Sequence, residues 1–325
     1  MGKEITNITG ISLPLAVWLA SDNYDFSAMG RRAISATSFL KPVRQILLRE
    51  RLTAEHAITP DVSDFIASRL GHAIHDSIES AWTDTRTFHK AMRKLGYPEK
   101  LIEKIQVNPT EPLEGHIHVW IEHRSEREIM GYIISGKFDM VLDGVLQDNK
   151  STSVYTYMLG SKDQDYCDQG SIYKWLNPDK ITADYMNIQF IFTDWSRAMA
   201  KANPKYPQQR VLEHRVELKS LAETEAWLKA KLRALEASAL LPEPALPFCT
   251  DKDLWRGETV YKYFSNPAKT DGKSTKNCAT AAEAAEYMAE KGGKGVVIPV
   301  PGKVKACGYC PAFPICTQKD LYEHG

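Results

Sequence analysis

The chain has 325 residues, 43% of them hydrophobic, and its 41 Lys and Arg are matched by 41 Asp and Glu. That length and apolar content build a sizeable core, which excludes a disordered chain, and the neutral balance excludes a protein that coats a polyanion by global charge, leaving nucleic-acid contact to a local basic face. With no apolar run long enough to span a bilayer, no basic-then-apolar secretory signal and six cysteines, the expectation is a cytoplasmic protein with no membrane partner, whose thiols serve metal binding or plain burial.

Residues 1–30 carry an apolar arm, Ile11-Ser-Leu-Pro-Leu-Ala-Val-Trp-Leu-Ala20, which reads as a packing segment. A helical stretch is expected from Arg31 to about Leu52. Within it Arg31, Arg32, Lys41 and Arg44, with the hydroxyls of Ser35 and Thr37, offer phosphate contacts, although the same charges suit a solvated helix face. Residues 61–82 read as one amphipathic helix with Phe65, Leu70, Ile74, Ile78 and Trp82 as its buried stripe. On it His75 and Glu79 lie one turn apart, with His72 a turn back; imidazole and carboxylate at that spacing complete a metal shell as readily as they decorate a surface. A charged helical insertion follows to residue 115. Residues 116–122 alternate as a strand whose His116 and His118 read as an exposed face.

The stretch from Gly131 to Lys150 reads as a β-hairpin turning at Asp143-Gly144, a strong tight-turn signal between β-branched and aromatic runs. Side chains alternate along a strand, so Asp148 and Lys150 share a face and the hairpin can place Asp139 across from them. Two converging acids call for a cation between them, and hard oxygen ligands suit Mg²⁺ or Mn²⁺. A neighbouring lysine then orients a water or neutralises developing charge, which is phosphoryl-transfer chemistry. Taken alone, the same residues also describe an exposed hairpin with ordinary surface charges.

Beyond the hairpin, a helix at 165–176 carries Gln169 and Tyr173 one turn apart, both able to hydrogen-bond a phosphate or steady a lysine. Strands are expected at 183–195 and 208–217, and a long helix from Ser220 to Ser238. A proline-rich link, residues 241–249, leads to Cys307-X2-Cys310-X5-Cys316, with Cys249 as the natural fourth thiolate. Four thiolates suit zinc or an iron-sulfur cluster. Cys167 and Cys278 read as packing residues.

In order, the chain shows His75-X3-Glu79, Gly136-X2-Asp139, Asp148-Asn-Lys150, Gln169-X3-Tyr173 and Cys-X2-Cys-X5-Cys. That order resembles the PD-(D/E)XK nuclease superfamily in its RecB-like branch, over roughly residues 30–320. The cysteine-bearing end resembles the iron-sulfur members, AddB and the CRISPR-associated exonucleases among them, and the general build is similar to phage or prophage exonucleases. The resemblance implies that His75, Asp139, Asp148 and the backbone carbonyl of Asn149 ligate a catalytic Mg²⁺ or Mn²⁺. It implies that Lys150 activates the attacking water, that Gln169 and Tyr173 buttress the site and touch DNA, and that Glu79 serves a second shell or second metal. Cys249, Cys307, Cys310 and Cys316 would hold a [4Fe-4S] cluster, with Zn²⁺ as the alternative; unlike in those relatives, the first cysteine here follows the nuclease motifs.

The implied fold is α/β: a central mixed β-sheet flanked by helices, a restriction-endonuclease-like core, with a C-terminal cysteine-clipped segment. Residues 1–60 would be a helical segment through which DNA enters, 61–240 the nuclease core and 241–325 an iron-sulfur segment packing on it. The implied function is a metal-dependent DNA exonuclease of phage recombination or DNA processing. The alternatives are a structure-specific endonuclease and a DNA-binding module with a decayed site. The implied partners are DNA and either further copies of the chain or a phage recombination protein such as a single-strand annealing protein.

Overall fold

The computed structural model describes residues 5–21, 32–56, 59–160 and 162–322. The chain divides into two compact units, residues 1–40 with 59–233, and residues 41–58 with 234–325.

The first unit is built on a seven-stranded mixed sheet. Its strands are β1 (Ala33–Ser35), β2 (Ile105–Val107), β3 (Ile117–Ile129), β4 (Tyr132–Leu142), β5 (Val145–Thr152), β6 (Tyr185–Phe192) and β7 (Val211–Glu217). The spatial order is β2-β3-β4-β5-β6-β7, and β1 pairs with β4. This is the mixed sheet flanked by helices expected of a restriction-endonuclease-like core. The β3–β4 hairpin turns at Met130-Gly131 and the β4–β5 hairpin at Asp143-Gly144, all four residues at positive φ, the primed-turn geometry that matches strand twist. The helix Ile66–Thr83 lays Ile78 and Trp82 on a small core of Val119, Ile121 and Met140. The helix Asp163–Leu176 buries Tyr166, Ile172, Tyr173 and Trp175, and Trp227 of the helix Leu221–Ser238 meets Phe39 edge to face at 5.4 Å.

Several expectations change here. The segment from Arg32 to Leu52 is not one helix. It contains β1, a short helix Ala36–Phe39 and a helix Val43–Glu50, because Pro42 removes an amide donor and disfavours helix at Lys41; Arg31 lies outside the described residues. The expected helix over 61–82 opens as a 3-10 turn, Val62–Phe65, and Leu70 of its stripe is 47% exposed. In the apolar arm, residues Leu13–Ala20 form a helix that buries Leu19 but leaves Leu13, Leu15 and Val17 exposed. Among the described residues no helix is long and apolar enough to cross a membrane.

The second unit is more regular than a proline-rich, cysteine-bearing tail suggests. β8 (Val260–Phe264), β9 (Lys276–Cys278) and β10 (Val296–Val300) form an antiparallel sheet in the order β10-β8-β9. The helix Ala281–Glu290 covers it, Tyr287 meeting Tyr263 edge to face at 5.1 Å.

Candidate active site

A fork in the first sheet makes the site. β4 pairs with β1 through Ile133–Ser135 and with β5 through Met140–Leu142, so Gly136, Lys137, Phe138 and Asp139 have no ladder partner on that edge. Past Gln147, β5 leaves β4 and runs beside β6 alone, Asp148 opposite Ile188 and Lys150 opposite Phe190. Backbone groups freed at such a fork need other partners. The Asn149 amide donates to Asp139 Oδ2 at 2.9 Å, and the Asn149 carbonyl lies 2.8 Å from His75 Nε2. His75 Nδ1 in turn lies 3.3 Å from Asp139 Oδ2. One carboxylate and one imidazole thus close the fork.

Asp148 is 2% exposed. Lys150 Nζ ion-pairs with its Oδ2 at 2.6 Å, and among the described residues that buried oxygen has no further partner. Gln169 donates to the Tyr173 hydroxyl at 2.9 Å. Tyr173 packs so closely on β4 that a Cβ at Gly136 would stand 2.8 Å from its ring, which explains a glycine three residues before Asp139. These groups, with Ser35 and Thr37, line a cavity of about 450 Å³. His75, Asp139, Asp148, Lys150, Gln169 and Tyr173 are therefore brought together. Glu79 is half-buried a turn beyond His75 and does not line the cavity.

The electrostatics follow from burial and mutual charge. Burial pushes the Asp148 carboxyl up, against the pull of Lys150. Burial also pushes Asp139 upward, but the hydrogen bond and charge of His75 hold it below the ordinary carboxylate range. His75 is raised, first by its hydrogen bond to Asp139; with both ring nitrogens facing oxygens, the imidazolium is favoured. Burial would lower Lys150, yet the nearby charges of Asp148 and Asp139 raise it, so the ammonium is held firmly.

Glu122 joins the site without having been expected there. The β3–β4 register pairs Ile121 with Met140 and His123 with Phe138, which sets Glu122 opposite Asp139. Ligand atoms of His75, Glu122 and Asp139 all lie within 4.8 Å of one another. Glu122 also ion-pairs with Lys137 and sits at φ +52° in mid-strand, a conformation that costs a non-glycine residue about 1 kcal/mol or more and collects at functional sites. Once the turn is known to lie at Met130-Gly131, counting back along the hairpin reaches Glu122 from Asp139. Two carboxylates and an imidazole this close fit a divalent cation, whose binding would displace the His75 proton.

Of the basic residues expected to meet phosphates, Arg32 is exposed with its guanidinium 5.5 Å from the Tyr132 ring centroid, and Lys41 is exposed. Arg44 is a correction. It is 1% exposed, ion-pairs with Glu243, donates to the Leu246 carbonyl at 3.0 Å and to Cys316 Sγ at 3.2 Å. Its charge is used inside the second unit, where a solvated phosphate contact is impossible. That unit gathers Cys249, Cys307, Cys310 and Cys316 around one small cavity. Gln318, 2% exposed, grips the Cys249 backbone at both its amide and its carbonyl, each at 2.9 Å. Burial raises the Cys249 thiol to about 12, and raises Cys307 and Cys310 as well.

No family model and no curated protein matches the chain. Among solved structures it is similar to SSO0001, at 15% identity and a TM-score of 0.37 over 67% of this chain and 83% of that one. It is also similar to a phage related exonuclease from Haemophilus somnus 129PT, at 16% identity and a TM-score of 0.25 over 36% of this chain and 57% of that one. At those scores neither likeness carries a functional assignment.

Proposed function

We propose that the chain is a Mg²⁺- or Mn²⁺-dependent deoxyribonuclease, acting as an exonuclease in phage recombination or DNA processing. The observation that carries this reading is the fork, where Asp139, Asp148, Lys150 and His75, drawn from three elements, meet in one cavity. Asp139, Glu122 and His75, together with the Asp148 carboxylate beside Lys150, would hold the cation. When bound, it supplies Lewis-acid polarisation of the phosphoryl group and balances the acids' charge. Lys150, fixed by Asp148, would hydrogen-bond the attacking water and neutralise charge on the pentavalent phosphate. Gln169 and Tyr173, bonded to each other, would steady the wall opposite.

The cysteines of the second unit would hold a [4Fe-4S] cluster. Four thiols around one cavity suit either a cluster or zinc. The cluster is preferred because the Cys307-X2-Cys310-X5-Cys316 pattern resembles that of the iron-sulfur nucleases.

The test is digestion of 5′- and 3′-labelled linear DNA, nicked DNA and covalently closed circles with either cation. Mononucleotide release from linear ends with intact circles is the expected result. Cut circles would make the protein an endonuclease, and binding without cleavage under both cations would leave a DNA-binding module.

A further inference from the structure

A second cavity, of about 390 Å³, opens beside the first. Lys150 of β5 is registered with Phe190 of β6, and Ile188 of β6 with His214 of β7. Registered neighbours project to one face of a sheet. Phe190 and His214 therefore stand on the same face as Asp148 and Lys150, one and two strands further along. Tyr157 closes the pocket from the helix Val154–Met158, its ring 5.3 Å from Phe190 and 6.2 Å from His214. Tyr166 lies 6.1 Å from Phe190. It belongs to the helix that also carries Gln169 and Tyr173, so one helix lines both cavities. At the rim Lys162 and Lys205 are exposed, and among the described residues neither ammonium has a partner. Asp163, the acid at this rim, is occupied by His214 at 3.1 Å.

We propose that this pocket is a nucleobase subsite, which takes the unpaired base of the nucleotide adjoining the scissile phosphate; the proposal rests on the nuclease reading above. Phe190 and Tyr166 are buried and form the floor; the half-buried rings of Tyr157 and His214 offer stacking to any base, and the two free ammoniums complement the phosphates on either side of it. Neighbouring strands are about 4.8 Å apart, so the pocket begins one strand spacing from Lys150, a gap that a single sugar bridges. A base lying against Tyr157 and His214 gives these rings the face that its neighbour in a duplex would cover, so the base must leave its stack to enter. The substrate is then a strand that is single or frayed at the point of cleavage.

Two measurements on the full chain test this. In the first, dAMP is titrated without metal into wild type, Tyr157→Ala, Tyr157→Phe and Lys205→Ala. Stacking of the usual strength predicts that Tyr157→Ala weakens binding about 10-fold or more while Tyr157→Phe stays within about 2-fold. Lys205→Ala, an exposed change that leaves folding alone, should weaken it several-fold. In the second, an oligonucleotide with an abasic analogue at its end is digested; kcat/KM should fall about 10-fold for wild type and far less for Tyr157→Ala. The proposal is overturned if wild type fails to bind dAMP, if Tyr157→Ala and Lys205→Ala bind it normally, or if the abasic end is cut at the ordinary rate. A protein that binds dAMP through Tyr157 yet cuts no DNA sinks the nuclease reading and leaves the pocket standing. One that cuts DNA indifferently to Tyr157 sinks the pocket alone.

Discussion

Lys150 is a cation that the fold has prepared: its ammonium sits 2.6 Å from a carboxylate oxygen that is buried and otherwise unpartnered. Lys150→Ala should lower single-turnover cleavage by about 10³-fold while DNA affinity changes little, since the group acts on charge that develops in the transition state. A cleavage rate near that of wild type, measured on end-labelled DNA, would remove this lysine from the chemistry. Glu122 makes a sharper trial because it separates cation binding from catalysis. Glu122→Gln keeps the side chain's shape and removes its charge, so Mn²⁺ affinity measured by calorimetry should fall about 10-fold, as ligand charge count dictates. Unchanged Mn²⁺ binding would exclude Glu122 from the cation's shell. The difference between these two residues is also one of legibility. Asp139, Asp148 and Lys150 were readable because Asp143-Gly144 declares its own turn and so fixes their register. Glu122 depends on the other hairpin, whose Met130-Gly131 turn puts a methionine at φ +52°, which sequence patterns do not advertise.

At the scale of elements, the strands of the first sheet that sequence reading missed are the short ones. β1 and β2 have three residues each, too few for any periodicity, and each exists because a neighbouring long strand offers it a parallel edge. β1 nonetheless matters for the site, since it occupies the edge of β4 just before the fork and brings Ser35, and Thr37 of the helix that follows, to the cavity. The N-terminal arm is tied down differently. Asp61 accepts from the Ile8 amide at 2.6 Å, from Thr9 Oγ1 at 2.7 Å and from the Ser63 amide at 3.1 Å. These bonds, that to Thr9 foremost, hold the Asp61 carboxyl well below its ordinary value. A depressed folded-state value means that the tether is fully present above the unfolded pKa of about 4 and is lost as pH falls through the lower, folded one. Hydrogen exchange over residues 5–21 should therefore quicken in Asp61→Asn at neutral pH, and in wild type only in strong acid. Equal protection of that stretch in the variant would show that Asp61 does not hold it.

On the scale of the whole molecule, charge is distributed by use. The chain is neutral, yet its arginines are not all available to a polyanion: Arg44 is spent on Glu243, the Leu246 carbonyl and Cys316 Sγ. Glu243 compensates the buried guanidinium, and a metal-bound thiolate at Cys316 would add a second negative group beside it. Burial raises the thiols of Cys249, Cys307 and Cys310, so without a metal these groups stay protonated and binding one would release their protons. Sequence spacing pointed to the four cysteines that line one cavity, but not to the sheet of β8, β9 and β10 that lies in the chain between the first and the second of them. Metal and fold should therefore be linked within the second unit. Protein purified without oxygen is expected to be brown and to carry about four irons. Cys310→Ser should lose the colour, and hydrogen exchange should quicken around residues 249 and 306–318 while the fork between β4 and β5 keeps its protection. Colourless wild type carrying one zinc would replace the cluster with a mononuclear site, and full protection in a metal-free Cys310→Ser variant would show that the cysteines need no metal to hold their fold.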